Sequence, residues 1–93
     1  MSQYNVAIVG ATGLVGETLL SLLEDREFPV SSLIPIASER SQDKYIQFKG
    51  QNINIQVLND FNFAGVDFAF FSAGALVSEQ FAPIAAKAGA IVI

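Results

Sequence analysis

The chain has 93 residues with 5 basic and 9 acidic side chains, a hydrophobic content of 52%, no cysteine and no histidine. A net charge of −4 without a basic run argues against a nucleic-acid partner, and the missing cysteine and histidine exclude disulfides, a Cys/His nucleophile pair, a histidine general base and most zinc sites within these residues. No apolar stretch approaches the roughly 20 residues of a membrane span, and Met1-Ser-Gln-Tyr-Asn5 lacks the regions of a secretory signal, so a cytoplasmic location is expected.

The first element carries the strongest signal. Val6-Ala-Ile-Val9 is strand-like and runs straight into Gly10-Ala-Thr12-Gly13-Leu14-Val15-Gly16. Strand, tight turn and helix N-terminus in that order make a seat for a dinucleotide pyrophosphate. Gly10 permits a sharp turn with positive φ. Gly13 removes a Cβ that would hold phosphates away from the first helical amides. Gly16, one turn in, lets the helix pack closely on the strand. Free N–H groups and the helix dipole then favour an anion. Thr12 is expected to cap the helix and to offer its hydroxyl to a phosphate. The spacing is G-x-x-G-x-x-G rather than the commoner G-x-G-x-x-G, and a purely structural βα turn is the competing reading. The strand before the glycines and the helical pattern after them favour the nucleotide.

Leu14 to about Arg26 reads as an amphipathic helix with Val15, Leu19, Leu22 and Leu23 inward and Glu17, Glu24 and Asp25 outward. Phe28-Pro29 ends it. Ser32 to Ala37 reads as a second strand, with Pro35 at an unpaired position or a bulge. It leads into Ser38-Glu39-Arg40-Ser41, with Lys44 just beyond, where a dinucleotide domain reads the adenosine ribose. Two hydroxyls and a planar guanidinium suit a 2′-phosphate. Glu39 is the competing acceptor for a bare ribose, and the arginine favours NADP over NAD.

From Tyr45 to Phe48 and from Ile53 to Val57 apolar and polar residues alternate around Lys49-Gly-Gln-Asn52. This predicts a solvent-facing antiparallel hairpin in place of the helix of a plain βαβ unit. Asp60 to Ala64 reads as a short irregular or helical turn. Val66 to Phe71 is a third core strand, ending at Ser72-Ala73-Gly74, whose small side chains let the backbone approach a pyrophosphate or a nicotinamide ribose. All three loops would share the carboxyl edge of a parallel sheet, where ligands of open α/β sheets bind. Ser78 to Ala88 reads as a helix with Ser78 as N-cap, Pro83 near its start and Gly89 at C′. Ala90-Ile-Val-Ile93 is a further strand-like run with no polar tail.

The fold class is therefore α/β: a partial, Rossmann-like, doubly wound and mostly parallel sheet with an inserted antiparallel hairpin. Such domains usually take about 100–150 residues. Residues 1–93 are accordingly expected to be the N-terminal part of a dinucleotide-binding domain. An exposed sheet edge would favour association.

With these motifs in view, the sequence resembles the N-terminal NADP-binding portion of aspartate-β-semialdehyde dehydrogenases. The resemblance rests on Gly10-Ala-Thr-Gly13-x-x-Gly16, Phe28-Pro29, Ser38-x-Arg40-Ser41, Phe71-Ser-Ala-Gly74 and Ser78-x-x-Phe81-Ala-Pro83-x-Ala85-Ala86-x-Ala88-Gly89. It implies an NADPH-dependent reduction of L-aspartyl-4-phosphate to aspartate semialdehyde and phosphate, a branch point toward lysine, threonine, methionine and diaminopimelate. It implies too that a cysteine nucleophile, a histidine acid/base and the substrate-binding arginines lie outside these residues, as does the domain through which the family forms homodimers or homotetramers. The cofactor contacts it implies are Gly10, Thr12, Gly13, Leu14, Val15 and Gly16 around the pyrophosphate, Ser38, Arg40 and Ser41 at the 2′-phosphate, and Ser72, Ala73 and Gly74 on the nicotinamide side. No catalytic residue and no metal site is expected here. By itself the chain is expected to bind NADPH more weakly than a whole domain and to turn nothing over. The sequence departs from the family at Asp43 and Ala75, where glycine is common. The rival readings are an N-acetyl-γ-glutamyl-phosphate reductase, a non-catalytic paralogue and a stand-alone nucleotide-binding module.

Overall fold

The β-branched and aromatic runs become strands and the leucine- and alanine-rich runs become helices. The structure, a computed structural model, describes residues 3–93. In chain order the elements are β1 (Tyr4–Val9), α1 (Leu14–Asp25), β2 (Val30–Ala37), a 3₁₀ turn (Glu39–Ser41), β3 (Tyr45–Phe48), β4 (Gln51–Asn54), β5 (Gln56–Val57), a second 3₁₀ turn (Leu58–Asp60), β6 (Phe68–Phe71), α2 (Ala75–Lys87) and β7 (Ile91–Val92). Five strands form one parallel sheet in the order β5-β2-β1-β6-β7, and β3 and β4 form a separate antiparallel pair. This is the predicted class.

Two apolar layers enclose the sheet. On one face Val6, Ile8 and Leu33 meet Leu20 and Leu23 of α1 and Phe48 and Ile55 of the hairpin region. On the other, Ala7, Val9, Ile36 and Ala69 meet Leu58, Phe63 and Val66 of the β5–β6 connection and Ala85 of α2. Val6, Ala7 and Ile8 are fully buried, as a central strand covered on both faces requires. Tyr4, Phe28 and Phe68 close the lower end of the first layer, with Tyr4 and Phe68 edge to face at 5.1 Å.

Several sequence expectations are corrected. Helix α1 buries Gly16, Leu20 and Leu23, whereas Val15 and Leu22 are exposed. The glycine decides this rotation, because only a side chain without Cβ fits against Gly10 and Ala11. Thr12 does not cap α1. Gly13 occupies the N-cap with extended backbone (φ −85, ψ 172) and no side-chain bond.

The hairpin forms, but its second strand ends at Asn54. Tyr45 pairs with Asn54 and Phe48 with Gln51, leaving Lys49 and Gly50 as a two-residue turn with φ of 52° and 79°. That is the mirror-type turn that matches strand twist. Gln56 and Val57 leave the hairpin and pair with Ile36 and Ala37 of the main sheet. The hairpin is not wholly solvent-facing either, since Phe48 is buried and Ile46 and Ile53 pack on the core.

The short helical turn starts at Leu58 rather than Asp60, and β6 begins at Phe68 rather than Val66. Helix α2 starts at Ala75, three residues before the predicted cap. Gly74 is extended there (φ −62, ψ 166), and its carbonyl accepts from the Ser78 amide at 3.1 Å. Pro83 therefore lies in the helix interior, where the bond to the Glu79 carbonyl is lost; both residues are exposed. Pro35 behaves as predicted. The Ile36 carbonyl faces β1 and accepts from Gly10 and Ala11, so strand alternation turns the Pro35 nitrogen to the other side, ahead of the short β5 pairing.

Both helices end in the same double-bonded motif. Gly89, at φ +105, lets Ala90 donate to the Ala85 carbonyl while its own amide donates to Ala86. At the end of α1 the left-handed position is filled by Glu27 (φ 51), with Phe28 donating to Leu23 and Glu27 to Glu24. A side chain in this region is strained. Glu27→Gly is expected to stabilise the chain by about 0.5–1 kcal/mol, read as a higher urea midpoint with an unchanged slope.

Candidate functional site

β1 is the central strand from which the chain departs in both directions, β2 on one side with α1 and β6 on the other with α2. The loops after β1 and β6 therefore diverge, and a crevice opens between them at the carboxyl ends of the strands.

Gly10 makes the turn. Its φ is +92, and its amide and that of Ala11 donate to the Ile36 carbonyl at 2.8 and 3.2 Å, folding the loop over β2. A Cβ at Gly10 would stand 2.9 Å from the Ala73 amide nitrogen and 2.9 Å from Ser72 Oγ. A Cβ at Gly16 would overlap the Gly10 carbonyl oxygen and approach Ala11 Cα to 2.8 Å. Gly13 differs, since its Cβ would meet only the Gly10 oxygen, at 3.6 Å. Two of the glycines serve the packing of the turn, and the third faces open space.

The Gly13 amide is spent on the Gly10 carbonyl at 3.1 Å, and the Glu17 amide on Gly13 at 3.0 Å. Between them the amides of Leu14, Val15 and Gly16 start a helix and have no backbone acceptor among the described residues, and neither has Thr12. These donors at the positive end of α1 suit a diphosphate.

Ser72 ties the two turns together. Its amide donates to the Val9 carbonyl at 2.9 Å, and its hydroxyl donates to the same carbonyl at 2.9 Å and lies 3.2 Å from that of Gly10. That hydroxyl is engaged within the protein, so the Ser72–Gly74 loop offers a ligand chiefly its backbone.

A groove of about 670 Å³ runs across these ends. Of the sequence-predicted residues it brings together Gly10, Thr12, Gly13, Ser38, Arg40, Ser72 and Ala73. Leu14 and Val15 are exposed on the first turn of α1, outside the lining, and Gly16 is buried beneath the loop. Ser41 is buried in the 3₁₀ turn and Gly74 sits at the start of α2; neither lines the groove. Arg40 is the only basic side chain of the lining and Glu39 the only acidic one, both exposed. Asp43 and Ala75 stay outside it. The described residues hold no group of three His, Cys, Asp or Glu side chains able to bind a metal.

Sequence reading missed the far walls. Val57 at the end of β5 with Leu58 and Asn59 after it form one, and Val77, Gln80 and Phe81 of α2 another. The first was legible in principle, because β5 is a further strand of the parallel sheet and its end must reach the same edge. The hairpin pattern concealed it.

Comparison with known proteins agrees with this geometry. Residues 5–93 match the family model described as semialdehyde dehydrogenase, NAD binding domain. The chain is 52% identical over 98% of its length to aspartate-semialdehyde dehydrogenase 2 of Vibrio cholerae serotype O1, covering 27% of that protein. It is 53% identical over its whole length to aspartate-semialdehyde dehydrogenase of Legionella pneumophila, again covering 27%. A crystal structure of aspartate semialdehyde dehydrogenase II from Vibrio cholerae, complexed with ASA, superposes with a TM-score of 0.95 at 50% identity, over 98% of this chain and 30% of that one. The chain thus spans little more than a quarter of the length of these curated relatives.

Proposed function

Because the chain belongs to the family of semialdehyde dehydrogenase NAD-binding domains, we propose that it seats the dinucleotide, NADP in preference to NAD, for an aspartate-semialdehyde dehydrogenase. The observation that carries this reading is the convergence of three strand-end loops on one groove, with Thr12, Gly13 and Arg40 on its lining and the free amides of α1 starting next to Gly13. The complete enzyme would reduce L-aspartyl-4-phosphate to aspartate semialdehyde and phosphate, and residues 1–93 would be the N-terminal part of its cofactor domain.

The residues fit the cofactor by chemistry. The amides of Thr12, Leu14 and Val15 would hold the pyrophosphate, and the open side of Gly13 lets it come close. Gly10 and Gly16 shape that turn. Ser38 and Arg40 would take the 2′-phosphate, with Ser41 supporting their turn from beneath. Ser72, Ala73 and Gly74 would border the nicotinamide ribose. The bound nicotinamide would supply the hydride. These residues contain no cysteine or histidine, so this part of the enzyme binds and orients rather than attacks.

Gly13→Ala separates binding from folding. Its φ of −85 is open to alanine, and the added methyl touches only the Gly10 oxygen. The melting temperature is expected to stay within about 1 °C, while the NADP dissociation constant rises about tenfold, equivalent to ~1.4 kcal/mol. Calorimetry that finds wild-type affinity in this variant would sink the pyrophosphate assignment.

A further inference from the structure

Strand β3 is paired on one side only. Bonded and unbonded pairs alternate along an antiparallel ladder, and the Ile55 amide, donating to the Lys44 carbonyl at 3.0 Å, fixes the phase here. Ile46 and Phe48 therefore bond to Ile53 and Gln51, whereas the amides and carbonyls of Tyr45 and Gln47 point away from β4 to the outer edge. Among the described residues no backbone group meets them there. Edge strands are ordinarily kept from further pairing by charge, proline or a bulge. Tyr45-Ile-Gln-Phe48 and Gln51-Asn-Ile-Asn54 carry no charge and no proline, and their register is unbroken.

Beyond that edge lies a second groove, of about 490 Å³, with α1 as its opposite wall. Four consecutive residues, Lys44 to Gln47, line it and none of β4 does, so it runs along the free backbone of β3. Its floor is Leu20 and Ile46, both part of the core on that face. Its wall is the exposed flank of α1 with Glu17, Ser21 and Glu24, and Lys44 is its only cation. Glu24 also accepts from the Lys49 amide at 2.7 Å, which ties the end of α1 to the hairpin turn and holds the two walls in place.

We propose that this groove receives an extended segment of a separate protein, which adds to β3 as a third strand of the hairpin sheet and carries basic side chains at alternate positions. The side chains of an added strand alternate between two faces. One set falls on Leu20 and Ile46, and the other rises beside Tyr45 and Gln47 toward the carboxylates of α1. The segment therefore reads apolar, basic, apolar, basic over the 4 residues that β3 spans. The groove shares only Thr12 with the dinucleotide groove, and the proposal does not rest on the identity of the cofactor.

The probe is the peptide acetyl-Val-Lys-Val-Lys-Val-Lys-amide, titrated into the 93-residue chain and followed by amide exchange in NMR spectra. It should slow exchange at Tyr45 and Gln47 about tenfold or more. The amides of Asn52 and Asn54, on the outer edge of β4, should be unchanged. Glutamate in place of the lysines should weaken binding by about tenfold, and so should Glu17→Lys against the lysine peptide. If that variant does not fold by circular dichroism, Glu17→Gln gives the same comparison with a loss of about threefold. Of two peptides methylated on alternate backbone nitrogens, the one blocked toward β3 should not bind. Binding retained by both methylated forms would exclude strand addition, and equal affinity for the lysine and glutamate peptides would exclude a basic partner. Protection at Asn52 and Asn54 instead would place the peptide on the wrong edge. Protection of Tyr45 and Gln47 without peptide, rising with chain concentration, would identify a second copy as the occupant. Each of these results would overturn the proposal, as would an absence of binding.

Discussion

Gly16→Ala is expected to cost roughly 3 kcal/mol of stability, the upper end of what a single methyl inserted into a packed interior does. The neighbours of the new Cβ are all backbone: the Gly10 carbonyl oxygen, Ala11 Cα at 2.8 Å and Ala11 carbonyl carbon at 2.9 Å. No rotamer change can relieve such contacts. Either α1 lifts from β1 or the Gly10 turn opens. The helix cannot rotate without withdrawing Leu20 and Leu23 from the core, and opening the turn breaks the bonds from Gly10 and Ala11 to Ile36. Urea denaturation followed by circular dichroism should show the loss directly. Dinucleotide affinity should fall with it, since the same movement displaces the free amides. A variant within about 0.5 kcal/mol of wild type, the range of surface substitutions, would mean that the helix does not bear on the turn as closely as described.

The second large effect concerns selectivity. Arg40→Ala is expected to weaken NADP binding by about 10- to 100-fold, the ~1.5–3 kcal/mol of a hydrogen bond to a charged group, and to leave NAD within about twofold. Arg40 is exposed and is the only cation of the lining, so its loss removes charge without disturbing the core. Glu39 beside it carries a carboxylate that repels a 2′-phosphate and can accept from a bare ribose hydroxyl. The variant should therefore approach parity between the two cofactors. Parallel titrations with NADP and NAD read this directly, and equal losses for both would refute a 2′-phosphate role.

Strand β1, its turn and helix α1 were legible because their signals are local. A run of β-formers, a glycine that must adopt positive φ and a leucine pattern need no distant partner to be read. The same holds for the place of the hairpin connection, read over Lys49 to Asn52 and found tighter, over Lys49 and Gly50, and for the C′ glycine at Gly89. Helix α2 was legible in kind but not in its start, since the Ser78 hydroxyl is an evident cap in sequence whereas the backbone of Gly74 is silent. Strand β5 was hidden for a different reason. Its two residues continue the alternation of the hairpin, and nothing local says that Gln56 turns to pair with Ile36.

The candidate site divides in the same way. Gly10, Thr12, Gly13, Ser38, Arg40, Ser72 and Ala73 were found because each sits just beyond a strand, and strand ends can be read. The walls from Leu58 and Phe81 come from elements brought there by the crossings of the chain.

By itself, then, the amino-acid order determined which segments extend, which coil and where backbone amides are left without an acceptor, because these follow from sterics and hydrogen bonding within a few residues. The tertiary structure alone decided which flank of α1 is buried, that Ser72 binds one loop to the other and that the segment after the hairpin joins the main sheet as its fifth strand. Those outcomes depend on close approach between groups up to 63 positions apart, such as Ser72 and Val9, and on filling a shared interior that no local pattern records.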